Sequence, residues 1–170
     1  MTRAEIERLR RMASRDPPMT RVALEDVGNR EGIRRQLQRE FEASLRGKES
    51  TEKLIGRLQK VVDMSRGRAA TIAQTERTRA ANGARVAQAI DEYLAAYDKA
   101  VKGHRKRPEL PRFQWVNPLI AKEPRHEHVM ISGTVQPVGT EFLPMLRYPG
   151  DPQAPARQTI NCHCYVRRVR

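Results

Sequence analysis

The sequence predicts an α+β protein: an N-terminal helical region with a long helix, followed by a small C-terminal α+β module with short antiparallel strands. Three observations predict it. Apolar residues recur at helical spacing through the first hundred positions. Proline is asymmetric, with only Pro17 and Pro18 before residue 104 and nine prolines after it, and proline disrupts helix interiors. The last third instead carries short alternating segments rich in aromatic and β-branched residues, broken by turn formers. The division of the chain is read as 1–65, basic helices that need partners; 66–103, a long helix; and 104–170, a proline-rich module ending in Asn-Cys-His-Cys.

The helices follow from their stripes and caps. Thr2 with Glu5 forms a capping-box start for a short basic helix that ends before Pro17-Pro18. A second helix runs from a cap at Asn29 to about Arg46, with Ile33, Leu37, Phe41 and Leu45 on one stripe and Gly47 as the stop. Ser50 or Thr51 caps a third, carrying Leu54, Ile55, Leu58, Val61 and Val62. Beyond a break at Ser65-Arg-Gly67, a long helix carries Ile72, Val86, Ile90, Leu94, Tyr97 and Val101, with Asn82-Gly83 as its weak point. The stripes are narrow and flanked by arginine, so these helices must pack on each other or on another protein. The stripe of Ile33, Leu37, Phe41 and Leu45 is the expected partner surface.

In the C-terminal module, Phe113–Val116 reads as a strand. His128–Ile131 and Thr134–Val138 read as a hairpin around Ser132-Gly133, with Pro137 suited to an edge. The loop from Gly139 to about Gln158 is long enough to be functional or partner-bound. Ile160–Val166 alternates like a closing strand.

Composition narrows the function. The 170 residues carry a net charge of +13, and Leu, Ile, Val and Phe together make 34 of them, at the boundary below which highly charged chains fail to fold alone. No apolar run is long enough to cross a bilayer, and the N-terminus lacks an apolar signal segment, so the expectation is a protein made in a reducing cytoplasm with no membrane role. Cys162 and Cys164, one residue apart, are too close for an ordinary disulfide.

In an extended chain Cys162 and Cys164 share a face with His163 opposite, and an extended His126 and His128 form a second pair. Two such pairs on neighbouring strands can make a Cys2His2 zinc site, because thiolate and imidazole are the ligands zinc prefers. The commoner alternative is buried thiols beside polar histidines, and no cofactor is the expectation, with zinc the departure from it. A cysteine nucleophile lacks a visible orienting group, no phosphate-cradling loop is present, and Glu76 and Glu92 read as solvated charges, so no enzyme is expected. The basic residues Arg66, Arg68, Arg77, Arg79 and Arg85 along the long helix, and the cluster of Lys102, Arg105, Lys106 and Arg107 at its end, suit phosphates or an acidic partner without a sequence-reading motif.

Two stretches carry a resemblance. Arg68-Ala-Ala-Thr-Ile-Ala-Gln-Thr-Glu76 followed by Ala80-Ala-Asn82 is similar to the helix motif of the phage head-morphogenesis family, the minor head proteins typified by phage Mu protein F. Trp115, Pro124-Arg125 with His128, Gly133, Phe142 and the terminal Asn161-Cys-His-Cys164 follow that family's order. The similarity spans about residues 66–168 and places Thr75, Glu76, Asn82, Trp115, Arg125, His128, Gly133, Asn161, Cys162 and Cys164 at its motif positions. Many relatives carry Cys-x-x-Cys where this chain has Arg125 and His128, a histidine where it has Thr159, and an arginine where it has His163. The resemblance therefore implies a fold in which Arg125, His128 and Asn161 act as polar struts. It also implies a structural component of a tailed-phage capsid: present in few copies, bound to the portal or major capsid protein, inside the head beside packaged double-stranded DNA, and active in head morphogenesis, DNA packaging or delivery. The alternative, independent of the resemblance, is a non-specific nucleic-acid-binding module stabilised by zinc.

Overall fold

The computed structural model describes residues 1–14, 31–61 and 64–169. The expected stop at Pro17-Pro18, the Asn29 cap, Val62 and Arg170 lie outside the described residues. The helices are α1 (Arg3–Ser14), α2 (Glu31–Arg46), α3 (Thr51–Val61) and α4 (Arg66–Lys102), followed by β1 (Arg112–Val116), α5 (His126–Met130), β2 (Val135–Pro137), α6 (Ala156–Thr159) and β3 (Tyr165–Val169). The α+β class holds.

The helix starts are chemical. Thr2 N–H donates to Glu5 Oε2 at 2.6 Å while Glu5 N–H donates to Thr2 Oγ1 at 3.3 Å, a reciprocal capping box. Ser50 Oγ accepts from Lys53 N–H and Ser65 Oγ from Arg68 N–H, so serine opens both α3 and α4.

The 37-residue α4 is the spine. On its N-terminal half, Ala69, Ile72 and Ala73 pack with Leu37, Phe41, Leu54, Ile55 and Leu58 of α2 and α3. Leu37 and Phe41, expected to meet a partner, are thus buried within the chain; Ile33 is half-buried and Leu45 alone of that stripe is exposed. Narrow stripes suffice because two short helices share one face of a long one.

On the C-terminal half, α1 runs antiparallel to α4, with Arg3 paired to Asp98, Arg10 to Asp91 and Ala13 against Gly83. Asn82-Gly83 is therefore a packing site and not a break. A Cβ on Gly83 would lie 2.6 Å from the Ala13 carbonyl oxygen, so glycine is what lets α1 approach. Ile6, Val86, Ile90, Tyr93, Phe113, Val138, Tyr148 and Val166 complete this core between the helices and the sheet.

The sheet has the order β2-β1-β3, antiparallel throughout, with Trp115 opposite Val166 and Gln114 opposite Val135. Pro137 sits at the end of an edge strand, as expected. Residues His126–Met130 form a helical turn instead of the first arm of a hairpin, and Gly133, at φ 91°, reverses the chain after it. Five residues cannot display a clear helical period, which is why valine and isoleucine nearby read as strand. The 139–158 loop is not idle surface: Tyr148 and Asp151 are buried, Gly150 lies against Arg79 of α4, and Arg147 pairs with Asp151 at 2.7 Å.

Candidate functional site

One face of α4 holds the segment before β3. Thr75, Thr78 and Asn82 are spaced i, i+3, i+7 and so project side by side. Thr75 Oγ1 accepts from Asn161 N–H at 2.8 Å, and Thr78 Oγ1 donates to the Cys162 carbonyl at 2.7 Å. Asn82 Nδ2 donates to the Cys164 carbonyl at 3.2 Å and Asn82 Oδ1 accepts from Val166 N–H at 3.0 Å. An irregular strip of chain thereby has its backbone groups satisfied by a helix, as buried peptide groups require. Asn161 stands at φ 51°, a conformation asparagine tolerates better than most residues. Its part is in the backbone turn, not in the side-chain strut expected of it. That turn sets both cysteines facing inward, so they share a face as expected although the regular strand begins only at Tyr165.

They meet His128 from α5. Cys162 Sγ and Cys164 Sγ each stand 3.6 Å from His128 Nδ1, and all three donor atoms lie within 4.8 Å of one another. The three residues are buried, at 1%, 5% and 1% exposure for Cys162, Cys164 and His128. His128 Nε2 lies 2.7 Å from Gln158 Oε1, and Gln158 Nε2 donates to Glu127 Oε2 at 2.5 Å. Because the amide nitrogen is committed to the carboxylate, its oxygen faces the ring, so Nε2 carries the proton and Nδ1 directs its lone pair at the sulfurs. Trp115 packs edge-on to His128 at 5.1 Å between ring centroids, with Leu146 beside the cysteines. Cys162 is pushed down to about 5, chiefly by the hydrogen bond from the Cys164 thiol; Cys164, as that donor and buried, is pushed up. The pair thus favours a single thiolate.

The spacing suits a metal. A tetrahedral zinc with Zn–S bonds of about 2.3 Å and a Zn–N bond of about 2.05 Å sets sulfur and nitrogen about 3.6 Å apart. The partner that orients the imidazole is the kind of support metal-bound histidines use. His126 is not among the ligands. It was paired with His128 on the assumption of an extended chain, but on a helix two residues turn through about 200°, and His126 is exposed. Arg125 joins the site differently, its guanidinium donating to the carbonyls of Arg157 at 2.6 Å and Ile160 at 2.5 Å, so it and His128 are struts from α5 to α6.

The three buried residues of the triad are among those lining a cavity of about 550 Å³. Its rim includes Asn117, Lys122, Glu123, Arg125 and His163.

The basic residues separate into two groups. Arg77 donates to Ser44 Oγ and to the Glu49 carbonyl, and Arg79 is buried against the 148–151 turn, where desolvation lowers its pKa; neither is the surface cation expected. Arg66 pairs with Glu52, Arg68 is half-buried, and Arg85 donates to Asn82 Oδ1. Lys102 at the end of α4 and Arg105, Lys106 and Arg107 beyond it are exposed, with Arg107 over the Tyr97 ring at 5.2 Å. Glu76 is buried, contrary to its reading as a solvated charge, while Glu92 is exposed and pairs with Arg168. Sequence reasoning passed over Thr78, Gln158 and Glu127. Thr78 was discoverable as the middle of a polar i, i+3, i+7 row inside an apolar face, whereas Gln158 and Glu127 carry no sequence signal because their partners are brought together only by folding.

No helix among the described residues is long and apolar enough to cross a membrane. Comparison with protein-family models, with curated proteins and with solved structures finds no match to this chain.

Proposed function

We propose that this chain is a structural minor head protein of a tailed bacteriophage, acting in head morphogenesis, DNA packaging or delivery. The observation that carries the reading is convergence. Thr75, Asn82, Trp115, Arg125, His128, Asn161, Cys162 and Cys164, the positions that resemble the head-morphogenesis motifs, are spread over ninety residues of sequence, yet they meet at the one junction of α4, α5 and the segment before β3. A scattered coincidence of residue types would have no reason to assemble. On this reading the protein sits inside the capsid near the portal, in few copies, contacting the portal or major capsid protein. The exposed Lys102–Arg107 cluster lies against packaged double-stranded DNA without reading sequence. Its role is structural and not enzymatic, and it is made in the host cytoplasm.

Co-expression with the portal protein of its own phage, followed by native mass spectrometry, tests this. A defined stoichiometry that persists in high salt is expected, and contact mutations belong at exposed Leu45 and half-buried Ile33, since Leu37 and Phe41 are needed inside the chain. Absence of any complex refutes the reading.

The His128, Cys162 and Cys164 geometry favours a second reading, a zinc-stabilised module that binds nucleic acid non-specifically. Zinc at the triad would add folding free energy to a core poor in large apolar residues. Metal analysis of protein prepared without chelator is expected to give one zinc per chain; a stoichiometry well below one dismisses the metal. Binding to duplex DNA that is indifferent to salt dismisses the phosphate contacts.

A further inference from the structure

We infer that a metal held by His128, Cys162 and Cys164 has an open fourth coordination position facing the cavity, occupied by an exchangeable water that a small anion displaces. The inference rests on the metal reading above and goes beyond it by separating an open site from a closed structural one. Structural zinc sites are closed by four protein ligands, whereas three protein ligands leave a position for water or an incoming ligand. Among the described residues, no fourth histidine, cysteine, aspartate or glutamate brings a donor atom into the group of three within 4.8 Å. His126, the one other histidine on α5, is exposed and turned away by the helix. Arg125, the neighbour that approaches from the same turn, is a cation with no donor pair to offer and is committed to two carbonyls.

The space beyond the triad fits a ligand. His128, Cys162 and Cys164 are buried residues in the wall of the cavity of about 550 Å³, far more than the roughly 30 Å³ a water molecule takes up in the liquid. The chemistry of the wall sets the class of ligand. A divalent ion with two thiolates and a neutral imidazole is uncharged overall, so neither charge sign is excluded by the inner ligands. Lys122 and Arg125 line the cavity against one carboxylate, Glu123, with His163 and Asn117 adding polar contacts. The guanidinium of Arg125 makes its hydrogen bonds to neutral carbonyls, so these bonds do not cancel its charge. The balance favours a small anion over a cation at the fourth position.

The test uses the full chain titrated with Co²⁺, which reports its ligands optically, and then with sodium azide. One equivalent of Co²⁺ is expected to produce a thiolate-to-metal charge-transfer band, weakened in Cys162→Ser and lost when Cys162 and Cys164 are both serine, together with ligand-field bands. Azide is then expected to shift the ligand-field bands saturably while the charge-transfer band persists. Absence of the charge-transfer band removes the metal reading itself, and this inference with it. A charge-transfer band with ligand-field bands that do not respond to azide overturns the open position alone. So does a His163→Ala protein whose ligand-field bands are altered before any azide is added, because the chain itself would then close the site.

Discussion

Replacing Asn82 with alanine tests the junction that the site depends on. The side chain is 1% exposed and ties α4 to the chain entering β3 through two bonds, from Nδ2 to the Cys164 carbonyl and from Val166 N–H to Oδ1, while Nδ2 also donates to the Thr78 carbonyl on its own helix. Alanine leaves Val166 N–H buried without its acceptor, which costs about 1–3 kcal/mol, and leaves the Cys164 carbonyl short of a donor at about 1 kcal/mol. The better helix propensity of alanine returns about 0.5 kcal/mol. The net loss is about 1.5–3.5 kcal/mol, a large fraction of the roughly 5–15 kcal/mol that holds a domain folded. For a chain of this size it corresponds to a melting temperature lower by about 3–14 °C. Urea unfolding of both proteins measures the free energy, and hydrogen exchange at the Val166 amide locates it. A change below about 0.5 kcal/mol, or undiminished protection of that amide, refutes the argument that Asn82 takes the place of a neighbouring strand.

Gly83→Ala improves helix propensity by about 1 kcal/mol yet sets a Cβ 2.6 Å from the Ala13 carbonyl oxygen, so thermal unfolding is expected to show net destabilisation, with α1 losing exchange protection first. His128→Ala breaks the link to Gln158 and opens a void beside Trp115; its melting temperature should fall, and an unchanged value would remove His128 from the struts. Changing Lys102, Arg105 and Lys106 together to glutamine should leave the melting temperature unaltered and reduce the slope of log K against log salt for duplex DNA by up to about 2.7, read by fluorescence anisotropy. Glu49 is held below its ordinary value of 4.5, chiefly by hydrogen bonds from Arg57. A lowered carboxylate contributes stability above its ordinary value that is lost as pH falls through the folded one, so Glu49→Gln should flatten the fall in stability below pH 4.5 measured by denaturant titration.

The parts that were legible in the sequence rest on interactions between residues close along the chain. The capping box of Thr2 and Glu5, the Ser50 cap, the Gly47 stop and the stripes of α2, α3 and α4 are all set within a few turns, so periodicity and residue type are enough to find them. Pro137 at an edge and Gly133 in a reversal follow from the limits of their own backbones. The inward pair Cys162 and Cys164 follows from alternation, which survives even where the chain is not a regular strand.

Tertiary packing decided the rest, because the meaning of a residue depends on what lies across from it. Gly83 reads as a helix breaker until α1 is laid against it, and Leu37 and Phe41 read as a docking stripe until α3 and α4 cover them. Arg77, Arg79 and Glu76 carry the same charges as their exposed neighbours, but bonds to Ser44 and the Glu49 carbonyl hold Arg77 half-buried, the 148–151 turn buries Arg79, and Glu76 is buried on the same helix. His126 and His128 exchange a shared face for opposite ones because five residues coil instead of extending, a choice too short for any period to reveal. The composition established that this protein is a cation with little apolar material. That three distant residues, His128, Cys162 and Cys164, converge on one set of metal-like distances was decided by the polar row on α4, which reaches across to hold a stretch of backbone that no strand covers.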